Sequence, residues 1–142
     1  MSASCELCNA GIGDVIVSAE KWRVILVDDA NYPGFCRVIW NAHVKEMSDL
    51  DDADKAEIMR VVWQVESAQR EVLQAHKINL ASFGNMVPHL HWHVIPRFTD
   101  DAHFPNPVWA QANAVAPDTA IMNARRARLP QLRAAIQTRL IY

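Results

Sequence analysis

Three of the chain's six histidines stand at alternate positions in HLHWHVIPR, residues 89–97, with Leu90, Trp92 and Val94 between them. In an extended segment side chains alternate between faces, so His89, His91 and His93 share one face and the apolar three take the other. Successive histidine backbones then lie ~6.6 Å apart, close enough for neighbouring rings to hydrogen-bond or to converge on one small anionic group. Three readings fit. A neutral imidazole is a nucleophile toward phosphorus, and its neighbours can hold phosphate oxygens or protonate a leaving group. Two of the rings can instead bind a metal. The third reading has no chemistry in it: rings satisfied by backbone partners.

A histidine strand needs a sheet to lie in. Residues 22–27 (WRVILV) and 36–40 (CRVIW) are rich in β-branched and aromatic side chains, and the DDANYPG between them is made of turn formers, which predicts two strands joined as a hairpin. From Ser48 the period changes: Ile58, Val61, Val62, Val65, Ala68 and Val72 fall on one helical face, with Ser48 and the acids after it as cap and dipole partners. A helix over 51–75 follows. Residues 78–83 and 89–95 read as further strands, separated by Gly84-Asn85-Met86-Val87-Pro88. Past Pro96 the DDAHFPNPVW stretch reads as irregular surface chain, and 118–140 as helical with a break or kink at Pro130. Strands and helices in separate runs predict an α+β fold with an antiparallel sheet.

Composition narrows the class of protein. At 142 residues, 51% of them hydrophobic, the chain suits one globular domain with a real core. Its apolar runs fall far short of the roughly 20 residues a bilayer span needs, and the first residues lack a basic segment followed by an apolar one, so no membrane association or export is expected. Cys5, Cys8 and Cys36 make an odd count, which favours a reducing compartment, the cytoplasm. The acids between Glu46 and Glu57 and the arginines between Arg125 and Arg139 read as solvated helix faces. No basic stripe with interleaved aromatics appears, so nucleic acid is not an expected partner.

HLHWHVI resembles the signature of the histidine triad (HIT) family, in which His, apolar, His, apolar, His precedes two apolar residues. The similarity extends to CELC near the start, a strand ending in IWNAH, a long helix and Gly84-Asn85 before the triad. It covers roughly residues 5–109, within a single domain spanning 1–142 whose remainder, 110–142, is a helical extension. The resemblance implies an antiparallel five-stranded sheet with flanking helices, extended across a homodimer, and nucleotide phosphoryl chemistry on a purine nucleotide. By position, it makes His91 the nucleophile that forms a nucleotidyl-histidine at the α-phosphate, His93 the phosphate and leaving-group partner, and His89 the residue that supports its neighbour by hydrogen bonding. Dividing one displacement at phosphorus into two steps is the physical gain, and no metal is required for it. A related transferase branch has glutamine at the third position, so His93 favours hydrolysis.

The resemblance also marks departures and secondary sites. Many relatives carry a histidine after Pro-Gly where this chain has Phe35, and a hydroxyl residue where it has Met86; Asn85 still offers an amide to phosphate. Asp28 stands where an acidic residue takes the ribose hydroxyls, with Asp29 adjacent and turn formation as the competing role. The C-x-x-C of Cys5 and Cys8 suggests zinc, yet two ligands are not four. In some bacterial relatives the histidine ending the second strand and the first triad histidine complete the set, positions that match His43 and His89. Otherwise the two cysteines are small buried residues. His76 and His103 read as surface or helix-end residues, Arg97 as a phosphate contact or a solvated cation, and Trp109 as packing. The expected activity is hydrolysis of a nucleoside phosphoramidate or dinucleoside polyphosphate to a nucleoside monophosphate. The alternatives are nucleotidyl transfer to another acceptor and a nucleotide-binding, zinc-stabilised module with little turnover.

Overall fold

The computed structural model describes residues 5–141. Five strands form one antiparallel sheet: β1 (Asp14–Ser18), β2 (Trp22–Leu26), β3 (Cys36–Trp40), β4 (Lys77–Ala81) and β5 (His91–Arg97), in spatial order β1-β2-β3-β5-β4. The hairpin of β2 and β3 forms where expected, with Trp22 opposite Trp40 and Leu26 opposite Cys36. The sequence pattern does not single out β1, because DVIVS is short and sits among polar residues. β5 differs in its bounds. It starts at His91 rather than His89 and runs through Pro96, which pairs with Ile78 of β4. His89 therefore lies in a bend just before the strand.

The helix α1 (Asp52–Leu73) lies within the expected 51–75, and Ile58, Val61, Val62, Val65, Ala68 and Val72 are all buried. Its cap is Asp51, whose side chain accepts from the Asp54 N–H; Ser48 belongs to a separate 3₁₀ turn (Met47–Asp49). Inside the helix Gln69 is fully buried, and its amide donates to the Gly34 carbonyl at 2.8 Å and the Val94 carbonyl at 2.9 Å. One side chain thus ties α1 to the turn before β3 and to the middle of β5. Gly34 has φ +92°, and a Cβ there would stand 2.5 Å from a Leu73 methyl, so this tight approach requires glycine.

Two more helices follow, α2 (Thr119–Arg126) and α3 (Leu129–Arg139), with Pro130 in the first turn of α3, where a missing N–H costs nothing. Leu132, Ile136 and Leu140 of this C-terminal part enter the main core beside α1, Val24, Val38 and Val94. The sheet is covered by helices on that face. On its other face two small apolar clusters, Leu7 with Ile25 and Ile39, and Tyr32 with Phe35 and Ile95, flank a polar strip formed by Arg37, His91 and His93. The architecture is the α+β fold with a five-stranded antiparallel sheet that the resemblance implied. No helix among the described residues is long and apolar enough to cross a membrane.

The stretch after β5 is irregular, as expected, but only part of it lies at the surface. Asp101 and His103 are buried, and the Asp101 carboxylate accepts from Arg97 Nε at 2.7 Å and Nη2 at 3.1 Å and from the N–H groups of Phe98, His103 and Phe104. Arg97 also donates to Asn79 and to the Asn106 carbonyl. Burial alone would raise the Asp101 pKa, but these five donors hold it down at about 2. His103 stacks on Tyr32 rather than facing solvent, and its Nδ1 shares a 2.5 Å hydrogen bond with the Tyr32 hydroxyl. His76 is exposed just past the end of α1, as expected.

Candidate active site

Alternation along β5 places His91 and His93 on the uncovered face, with ring centroids 4.9 Å apart, while Trp92 packs toward the main core. In register across β3, His91 faces Ile39 and His93 faces Arg37. The two imidazoles open into a cavity of about 490 Å³, whose other walls include Glu6, Arg37, Phe83, Asn85 and Trp109. Gly84 takes φ +72° in the loop that brings Asn85 to this cavity. Trp109 is 64% exposed and meets Phe83 edge-on at 4.8 Å, and Phe83 in turn lies 5.6 Å from the His93 ring. Its role is to form a wall, where the sequence suggested packing.

The hydrogen bonding of His91 decides its chemistry. Its Nδ1 lies 2.6 Å from the His89 backbone carbonyl. A carbonyl only accepts, so Nδ1 carries the hydrogen and the Nε2 lone pair is left free. Burial lowers the His91 pKa, and the positive charge of Arg37 adds to the effect against the His89 hydrogen bond. For His93 burial, aided by the charges of His91 and Arg37, pushes the pKa down to about 4. Phe35, where relatives carry a histidine, contributes to that burial with its ring centroid 5.8 Å from His93. Both rings are therefore neutral at pH 7, the state a nucleophilic imidazole needs.

His89 behaves differently. It is fully buried, and its Nε2 donates to the Trp40 carbonyl at 2.5 Å, which leaves Nδ1 as the acceptor atom. That nitrogen points away from the cavity, at Cys5 Sγ (3.4 Å), Cys8 Sγ (3.6 Å) and His43 Nδ1 (3.2 Å), and Cys8 Sγ lies 3.3 Å from His43 Nδ1. Its contact with His91 is through the backbone carbonyl, which accepts from His91 Nδ1, with the ring engaged elsewhere.

The cluster of Cys5, Cys8, His43 and His89 has its four donor atoms within 4.8 Å of one another. Zinc–sulfur bonds of ~2.3 Å and zinc–nitrogen bonds of ~2.0 Å in a tetrahedron give donor separations of about 3.3–3.8 Å, and the four distances above fall at or near that range. The donor set and its geometry fit zinc. The N-terminal turn (Glu6–Cys8) that delivers the cysteines is pinned by Arg23, which donates to the Leu7 carbonyl at 2.6 Å and to Asn41 at 2.8 Å. Cys36 stands apart: burial pushes its pKa up to about 12, so it is an inert core residue.

Asp28 is not among the residues that line the histidine cavity. It is exposed beyond β2 and lines a second hollow with Asp14, Asp29 and Arg126. Arg97 is likewise removed from the cavity, 2% exposed and paired with Asp101. Arg37 belongs to none of the sequence motifs, yet it lines the cavity. Its signal was present, as the one charged residue in the apolar strand CRVIW at a position sharing parity with the exposed face.

Residues 12–100 match the HIT domain family. The chain is similar to a histidine triad protein from Bradyrhizobium japonicum (32% identity over 83% of this chain and 90% of that one, TM-score 0.66). It is also similar to one from Sinorhizobium meliloti (28%, 84% and 88%, 0.67). It shares its fold with a zinc-bound histidine triad family protein from Mycobacterium smegmatis (24%, 93% and 97%, 0.60). Among curated relatives, an AP-4-A phosphorylase of Mycobacterium tuberculosis is 32% identical over 78 residues, 51% of this chain and 40% of that protein. The match thus spans less than half the length of that relative.

Proposed function

The chain belongs to the HIT domain family, and from that membership we propose that it is a nucleotide-processing enzyme acting at an α-phosphate through a covalent nucleotidyl-His91. The observation that carries the reading is the 2.6 Å bond from His91 Nδ1–H to the His89 carbonyl, which aims a free Nε2 lone pair into the cavity. His91 Nε2 attacks phosphorus, and the bond to the leaving group breaks. Water then attacks the same phosphorus, the P–N bond breaks, and a nucleoside monophosphate leaves. His93 and the Asn85 amide hold phosphate oxygens, and the preorganised donors favour the transition state because they need not reorient. His89 is a positioning residue in this scheme. Asp28, with an exposed carboxylate, is the ribose contact we propose, on a nucleoside that extends beyond the cavity toward the β2–β3 turn.

Cys5, Cys8, His43 and His89 would hold a structural zinc. It would supply rigidity: a Cys2His2 site closes all four positions to substrate and would fix the His89 peptide whose carbonyl orients the nucleophile. The zinc-bound M. smegmatis relative supports this reading. A homodimer is also proposed, with Trp63 (61% exposed) and Leu80 of edge strand β4 (43%) as the apolar surface that a second copy would cover.

The experiment is to incubate the protein with diadenosine tetraphosphate and with an adenosine phosphoramidate, follow release of AMP, and quench in base to trap adenylylated histidine. The reading expects AMP and an adduct at His91; tight AMP binding with neither product would leave a binding module. A second reading, phosphorolysis, is favoured by the phosphorylase relative. In that case adding inorganic phosphate would divert the product from AMP to ADP, since phosphate rather than water would take the nucleotidyl group.

A further inference from the structure

Arg37 is a charged residue of the cavity that the scheme above leaves unused. It stands directly across from His93, lines the cavity with His91 and His93, and lies 5.9 Å over the Phe35 ring. Among the described residues it is the arginine with neither a hydrogen bond nor an ion pair. Every other one holds a carboxylate, a carbonyl or a side-chain amide. Its Nε is buried with no partner. Glu6, the carboxylate on the same cavity wall, makes no ion pair with it. A guanidinium stays charged in any protein environment, and its planar fork matches phosphate oxygens two at a time. An unpaired one in a concave site beside His91 and His93 is an anion site awaiting its anion.

Its position along the strands says which anion. The attacked phosphorus must sit at His91 Nε2, and His91 faces apolar Ile39; Arg37 is displaced from it toward His93, the leaving-group partner. We propose that Arg37 binds the phosphate on the leaving side of the scissile bond, so that the site favours nucleotides whose leaving group is itself a phosphate over those that release an amine. This inference rests on the nucleotidyl-transfer reading.

The step balances without a proton donor. The Nε2 lone pair forms the P–N bond as the bond from phosphorus to the bridging oxygen breaks. That oxygen keeps the electron pair and departs as part of a phosphate anion facing Arg37, while Nδ1–H stays on the His89 carbonyl. An amine leaving group would need a proton instead, and His93, held neutral by its burial, is a weak source of one.

The test uses the full chain and two readouts. Binding of AMP and ADP to the wild type, Arg37→Leu and Arg37→Lys is measured by calorimetry. The ratio of kcat/KM for diadenosine tetraphosphate to that for adenosine phosphoramidate is measured for the same three proteins. The wild type is expected to bind ADP about tenfold or more tighter than AMP, with that gap lost in Arg37→Leu and partly kept in Arg37→Lys, and the kcat/KM ratio is expected to fall about tenfold in Arg37→Leu. Where Arg37→Leu fails to fold, Arg37→Gln removes the charge with a polar side chain and takes its place. A gap that survives loss of the charge, or AMP and ADP weakening together, overturns the proposal. If the wild type cleaves neither substrate, the reading of function fails, and the AMP and ADP comparison still decides the role of Arg37.

Discussion

Arg37 and Arg97 lie on the same sheet, and the protein treats them in opposite ways. Arg97 has its donors on Asp101, Asn79 and the Asn106 carbonyl, and Asp101 accepts from three backbone N–H groups besides. Arg37 has none of this and faces the cavity. A buried charge held by a paired carboxylate and further hydrogen bonds to the protein is structure; one with neither is where a ligand can be bound. The same division separates neighbouring histidines. His89 has committed both ring nitrogens, whereas His91 has committed one.

The sharpest test of that division is His91→Ala. It is expected to lower kcat by about 10⁴-fold or more, as loss of a nucleophile does, while the thermal midpoint shifts little. A residual rate within tenfold of wild type would place the nucleophile elsewhere.

Asp101→Ala should do the reverse. It strands the Arg97 charge and three backbone donors in the interior, at an expected cost of about 3–5 kcal/mol, or a fall of roughly 10 °C in Tm for a chain of this size. Calorimetric melting checks it, and kcat per folded molecule should stay near wild type. Acid probes the same group: with a folded pKa of about 2 against an ordinary 3.8, Asp101 contributes stability that is complete above about pH 4 and lost as pH falls toward 2. Asp101→Ala should therefore show a flatter acid-unfolding curve than wild type.

Removing metal with a strong chelator tests whether His89 belongs with the spent group. If the Cys5, Cys8, His43 and His89 cluster binds zinc in the folded state alone, chelation should cost on the order of 3–4 kcal/mol, and one zinc per chain should be recovered by mass spectrometry. An unchanged melting curve and no recovered metal would reduce the cluster to packed thiols and imidazoles.

The smallest expected effect is in the pH profile. Because the His93 pKa is lowered to about 4 and that of His91 is also lowered, kcat/KM should change by less than about twofold between pH 8 and 6.5, where an ordinary histidine would be half protonated. The sign for stability agrees: the unfolded chain takes up protons from pH 6.5 downward and the folded His93 does not, so acid opposes folding. An acid limb centred at or above 6.5 would show that the cavity histidines are solvated.

Much of this was legible from residue types and spacing. Period-2 alternation set His91 and His93 on one face, period-3.6 placed α1, and β-branched runs marked β2 and β3, because local sterics and one-sided burial govern those patterns. Non-local decisions were hidden. Whether Asp28 reaches the histidine cavity depends on how the β2–β3 turn is carried relative to β5, and no local pattern encodes that. The burial of Asp101 and His103 within DDAHFPNPVW was hidden because one carboxylate gathers donors from separate positions. Asp51 rather than Ser48 caps α1 because a short turn intervenes, a difference of three residues that propensity does not separate.

The chain's own order of residues determined that three imidazoles would recur along one segment, that two cysteines would stand near the start, and that one arginine would interrupt an apolar strand. Packing in three dimensions decided their roles. Strand pairing put Arg37 beside His93, and the approach of the N-terminal turn to the end of β3 turned the His89 ring toward Cys5 and Cys8. Hydrogen-bonding capacity is finite, and only the folded neighbourhood determines which groups use theirs up and which keep some for a ligand.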